Sequence, residues 1–128
     1  MMSPCKLFFV AAASLLLGVG ASEFLQAQGN TAPAFLIAEI KVNDAEGDKA
    51  YLSKVSAVND AFGGRFIVRG GKTESIEGGE PEGRVAIIQF ASMEQLQRYW
   101  KSPAYQEISP TRQKTATSRI YFVEGVAP

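Results

Sequence analysis

Phe62-Gly63-Gly64-Arg65-Phe66-Ile67-Val68-Arg69-Gly70-Gly71-Lys72-Thr73-Glu74-Ser75-Ile76-Glu77-Gly78 is the stretch on which the fold turns. Gly63 falls just past an apolar periodicity of helical spacing, where a glycine ends a helix by turning the backbone left-handed. Arg65 to Arg69 then alternates as a strand, with Phe66 and Val68 on one side and Arg65, Ile67 and Arg69 on the other. Gly70-Gly71 inside extended chain predicts a bulge or a close backbone approach, with strand pairing resuming through Thr73, Ser75 and Ile76. Gly78-Gly79-Glu80-Pro81-Glu82-Gly83 is a dense turn signal that reverses the chain into a strand at Arg84 to Ala91, making a hairpin.

Upstream, Asn43-Asp44-Ala45-Glu46 supplies capping oxygens, and Tyr51, Val55, Val58 and Phe62 form the stripe of an amphipathic helix. Before it, Phe35 to Val42 reads as a strand with Leu36, Ala38, Ile40 and Val42 on a core face. Downstream, Ser92-Met93-Glu94-Gln95 is a capping box opening a helix with Met93, Leu96 and Trp100 as its apolar stripe. Ser102-Pro103 and Ser109-Pro110 each set a hydroxyl before a proline, so the helical region to about Thr115 is expected in pieces. Arg119 to Glu124 is the last strand. The order βαββαβ predicts one α+β domain of ferredoxin-like type with a four-stranded antiparallel sheet.

Two helices cover one face of such a sheet. The other would carry Phe35, Ile37, Ile67, Val85, Ile87, Tyr121 and Val123, a patch larger than soluble monomers expose, so a homodimer is expected.

Residues 1–27 read as a secretory signal. Lys6 gives the positive start, Leu7 to Leu17 the short apolar region, and cleavage follows Ala21 or Ala27. The expected location is therefore periplasmic or secreted, with no membrane association after cleavage. Residues 28–34 form a flexible arm and residues 35–126 the domain. Basic and acidic residues balance at 13 each, which gives no support for a nucleic-acid partner. The chain has no histidine, and Cys5, its single cysteine, leaves with the signal. Histidine-based triads are excluded, the commonest metal ligands are missing, and neither metal nor cofactor is expected.

The ordered run Gly63 to Gly71, Glu77-Gly78, Ser102-Pro103-Ala104-Tyr105, Arg112 and Val123-Glu124-Gly125 resembles the bacterial family called domain of unknown function 1330. The resemblance covers about residues 35–126 and implies the dimeric α+β barrel superfamily, which includes cofactor-free monooxygenases and isomerases beside proteins without known activity. Members of the family are mostly cytoplasmic, whereas this chain begins with a signal. Pro110 also interrupts a helix that is more often continuous.

Gly70-Gly71-Lys72-Thr73 imitates the end of a phosphate loop, but that pattern requires glycine where Phe66 stands and a strand-to-helix context. Arg65 and Arg69, roughly 13 Å apart along a strand, cannot grip one small carboxylate together. Arg69 either pairs with Glu77 or Glu124 or anchors an anion. Glu77 and Tyr105 are candidates for proton transfer, while Glu80 and Glu82 belong to a solvated turn. Tyr51, Trp100 and Tyr105 surround the gap between helices and sheet as core packing or as a ring-lined pocket, with Ser102, Tyr105 and Arg112 as polar contacts. Arg112 alone reads as a bridge to a carboxylate. The reading is a protein that binds a small, partly apolar or anionic molecule. Its alternatives are a cofactor-free enzyme and a non-catalytic structural module.

Overall fold

A computed structural model describes residues 31–128; the signal reading and the first part of the arm fall outside them. The strands are β1 (Ala34–Val42), β2 (Arg65–Arg69), β3 (Arg84–Phe90) and β4 (Ala116–Glu124). The helices are α1 (Ala45–Ala61), α2 (Met93–Lys101) and α3 (Pro103–Thr115). All strand pairs are antiparallel in the order β2-β3-β1-β4, the ferredoxin-like arrangement the element order predicts.

Leu36, Ala38 and Ile40 of β1 alternate inward with Ala86, Ile88 and Phe90 of β3, and all six are buried. The helices cover this face. Asp44 caps α1 by accepting from the Gly47 N–H, and Gly63, at φ +75°, follows its end as expected. The buried side of α1 is Asp48, Tyr51, Val55 and Asn59, so the helix is rotated from the stripe of Tyr51, Val55, Val58 and Phe62. Two polar residues carry the periodicity where only apolar ones were counted. At the far end, the Thr115 carbonyl accepts from the N–H groups of Asn43 and Asp44 at 2.8 and 3.0 Å, tying the close of α3 to the opening of α1.

Three expectations are corrected. The irregularity in β2 lies at Ile67, not at Gly70-Gly71: Phe66 pairs with Ile88, but Val68 pairs with Ile87 and Arg69 with Ala86. Inserting one residue moves everything after it to the opposite face. Arg69 therefore joins Phe66 on the helix-covered side, away from Arg65. Pairing also does not resume through Thr73 to Ile76, which lie in an exposed, non-strand segment. Finally, the helical region breaks at Ser102 but runs on through Pro110. Proline removes one helical hydrogen bond, and the burial of Tyr105, Ile108 and Arg112 around that position holds the helix together.

On the other sheet face Ile67, Tyr121 and Val123 are 42–45% exposed, and no helix among the described residues covers them.

Gly83 closes the hairpin at φ +83°, and a Cβ there would collide with the Ile40 carbonyl and approach the Lys41 Cα to 2.7 Å. Gly83→Ala adds left-handed strain to a backbone clash and is expected to cost about 2–4 kcal/mol. Urea unfolding should show a lower midpoint at unchanged slope, and an unchanged midpoint would contradict this account.

Candidate functional site

Between the sheet and the helices lies a cavity of about 230 Å³. Its floor is the inward alternation of the strands, including Leu36, Ala38, Ala86, Ile88 and Phe66; α1 contributes Tyr51, Leu52 and Val55, α2 contributes Tyr99, and α3 contributes Tyr105 and Arg112. Arg69 and Gly70 are its exposed lining residues, so it opens beside the end of β2. The wall is mostly hydrocarbon and aromatic carbon, with the phenol hydroxyls and three arginines as its polar groups.

The tyrosines are placed by one bend. The Ser102 hydroxyl donates to the Tyr99 carbonyl at 2.7 Å and accepts from the Tyr105 N–H at 3.1 Å, ending α2 and starting α3, with Pro103 suited to the first helical position. The rings on either side then stack in series. Phe90 to Tyr99, Tyr99 to Tyr105 and Tyr105 to Trp100 have centroid separations of 5.0, 4.9 and 4.8 Å, within the range where aromatic pairs attract.

The arginines differ in their partners. Arg84 meets the buried Asp48 carboxylate through two hydrogen bonds of 2.9 and 3.4 Å, which neutralises its charge. Arg112, only 5% exposed, donates from Nε to the Tyr105 hydroxyl at 3.3 Å and lies 6.0 Å from the Trp100 ring centroid. It makes no ion pair among the described residues, so the expected bridge to a carboxylate is not formed. Arg69 likewise pairs with neither Glu77 nor Glu124; its guanidinium lies 4.4 Å from the Phe66 ring centroid.

Tyr51, Tyr105 and Arg112 thus line one cavity, and Arg69 joins them only because the irregularity in β2 turns it from the face on which alternation placed it. Trp100 stands behind Tyr105 and does not line the cavity, and Ser102 works as a cap. Glu77 lies in the exposed segment between β2 and β3, outside the cavity. The Glu80 carboxylate accepts from the Thr73 hydroxyl and the Ser75 N–H in the same exposed segment. Sequence reasoning missed Tyr99, which follows the buried Leu96 at a helical spacing of three. It also missed Phe66 and the Arg84–Asp48 pair, whose apposition depends on register. No cluster of three or more metal-ligating side chains occurs among the described residues.

The family model described as domain of unknown function (DUF1330) matches residues 33–126. The chain belongs to that family. A structure of a protein of unknown function from Rhodopseudomonas palustris is similar to this DUF1330 chain at 22% identity and TM-score 0.61, covering 84% of this chain and 94% of that one. SnoaB, a cofactor-independent oxygenase from Streptomyces nogalater, is similar at 9% identity and TM-score 0.51, over 73% and 92% of the two chains. A hypothetical Arabidopsis thaliana protein is similar at 16% identity and TM-score 0.53, over 77% and 91%. Likenesses at these identities bear on the fold alone, a ferredoxin-like α+β arrangement with a four-stranded antiparallel sheet. A comparison with curated proteins finds no match.

Burial pushes the Tyr51 hydroxyl far above the usual phenol range, helped by Tyr105 and opposed by Arg112. Tyr99 is raised first by burial and then by Tyr51 and Tyr105, again against Arg112. Both are held as neutral phenols. A raised folded-state value gives stability that is complete below the unfolded phenol value, about 10, and is lost as pH rises above it. Urea unfolding from pH 8 to pH 11 should therefore show stability falling above about pH 10, by up to about 1.4 kcal/mol per pH unit for each such tyrosine. Tyr51→Phe and Tyr99→Phe should each reduce that slope. A slope unaltered by both replacements would contradict the assignment.

Proposed function

We propose that this is an exported homodimer whose subunits each bind a small, partly apolar anion in the cavity between sheet and helices. The observation that carries this reading is Arg112, a 5% exposed cation beside a largely apolar cavity and without a carboxylate partner among the described residues. Removing such a charge from water costs several kcal/mol, and hydrogen bonds to the Tyr105 and Tyr51 phenol oxygens offset only part of that. A ligand carboxylate supplies the missing countercharge, with neutral tyrosine hydroxyls available beside it. For size, an apolar cavity of about 150 Å³ accepts benzene, so 230 Å³ suits a substituted ring or a short branched acid.

Export rests on the leader read from Lys6 and Leu7 to Leu17, and the homodimer on the apolar face bearing Ile67, Tyr121 and Val123. A cofactor-free enzyme is the second reading, favoured by the contact between the Tyr105 hydroxyl and Arg112. In such an enzyme Tyr105 handles a proton while Arg112 holds the negative charge formed. SnoaB, similar in fold, is described as a cofactor-independent oxygenase.

Calorimetric titration with benzoate and benzyl alcohol tests the binding reading. Benzoate is expected to bind one per subunit and at least about tenfold more tightly than the alcohol, and Arg112→Gln should remove that preference. If neither benzoate nor cyclohexanecarboxylate binds at millimolar concentration, the reading fails.

Export and assembly are checked on material secreted from a bacterial host. Intact mass should place the first residue at Ser22 or Gln28, and sedimentation at micromolar concentration should give twice the subunit mass. Ile87→Lys should shift the sedimenting species to a monomer. An uncleaved chain or a wild-type monomer would overturn the corresponding part.

A further inference from the structure

Resting on the cavity reading above, we propose that Arg69 is a specificity-determining residue for a second anionic group. The preferred ligand is then two-headed, with one carboxylate drawn in to Arg112 and the other held at the opening by Arg69.

Three arginines line the cavity, and their charges are not equally compensated. Arg84 is matched by Asp48. Arg112 and Arg69 face the same space, and among the described residues no carboxylate pairs with either. A monoanion answers one of these two charges and leaves the other; a dianion with an apolar body answers both.

Arg69 would not face this space in a regular strand. Strict alternation puts it beside Arg65 on the opposite face of the sheet. The extra residue at Ile67 turns it over, and bulges of this kind re-aim side chains next to binding sites. Its position is also anchored. The Gly70 N–H donates to the Val85 carbonyl at 2.8 Å, so Arg69 sits on paired backbone and not on the exposed segment that follows. The guanidinium carbon lies 4.4 Å from the centroid of the Phe66 ring, itself part of the cavity wall, a cation–π contact that holds the charge beside the opening.

Matched probes separate this inference from the one beneath it. The dianions 1,4-benzenedicarboxylate and 4-carboxyphenylacetate are titrated beside their monomethyl esters, which keep the shape and remove one charge. At low salt the better dianion is expected to bind about fivefold more tightly than its monoester, an advantage that narrows as salt is raised. Arg69→Gln should bring that ratio to about one and Arg69→Glu below one. Arg65→Gln, on the other face, should leave the ratio as in the wild type. Monoesters that bind as well as dianions, or a ratio that survives Arg69→Gln, overturn this inference and leave the cavity reading standing. Failure of every acid to bind overturns both.

Discussion

A four-stranded sheet has two faces, and the described residues supply helices for one of them. That constraint organises the molecule. On the covered side, Leu36, Ala38, Ala86 and Ile88 give the sheet a small and moderately sized apolar floor, while the helices bring down Tyr51, Tyr99 and Tyr105. Long, rigid rings standing over short side chains leave space between them, and the cavity follows from that mismatch. On the uncovered side the same alternation leaves an apolar surface. The cavity and the uncovered apolar surface are therefore on opposite faces of the same β1 and β3 strands.

The fold was legible because its signals are local and mutually consistent. Period-two patterns marked four strands, Asp44 and Ser92 marked helix starts, and Gly63 and the turn to Gly83 marked reversals, with boundaries at β2 and at the start of β3 where the sequence placed them. What escaped has a common physical origin. The bulge at Ile67 is a relation between two strands, and nothing within Arg65 to Arg69 announces which residue is left over. Pro110 carries a strong local instruction to break the helix, overridden by long-range burial of its neighbours. The roles of Asp48 and Asn59 on the inner side of α1 depend on what packs against them; Asp48 is explained by Arg84, whereas the buried Asn59 side-chain amide has no hydrogen-bond partner among the described residues.

The site was legible in part for the same reasons. Tyr51, Tyr105 and Arg112 fall on inward sides of helices, so residue type and spacing sufficed to gather them. Arg69 was named for its chemistry but placed on the wrong face, because its direction is set by β3. Glu77 and Arg112 show the opposite limits of sequence reasoning. A carboxylate in a motif-like run lies outside the cavity in exposed chain, and an arginine read as a structural bridge is buried without an acid. Charge complementarity is a property of neighbours in space, and neither case could be decided from residue types alone.

Ser102 touches no cavity space, yet its hydroxyl joins the Tyr99 carbonyl to the Tyr105 N–H across the bend between two helices. The backbones that carry the two central rings are thus held in register by atoms only three residues away on either side. Their arrangement belongs to a short, self-contained piece of chain and does not wait for an occupant to impose it. The two rings are also buried and packed on one another at 4.9 Å, so this roof is already ordered, and preordered side chains are those that lose little further freedom on contact. A residue that lines no part of the cavity thereby fixes how its two central rings are carried.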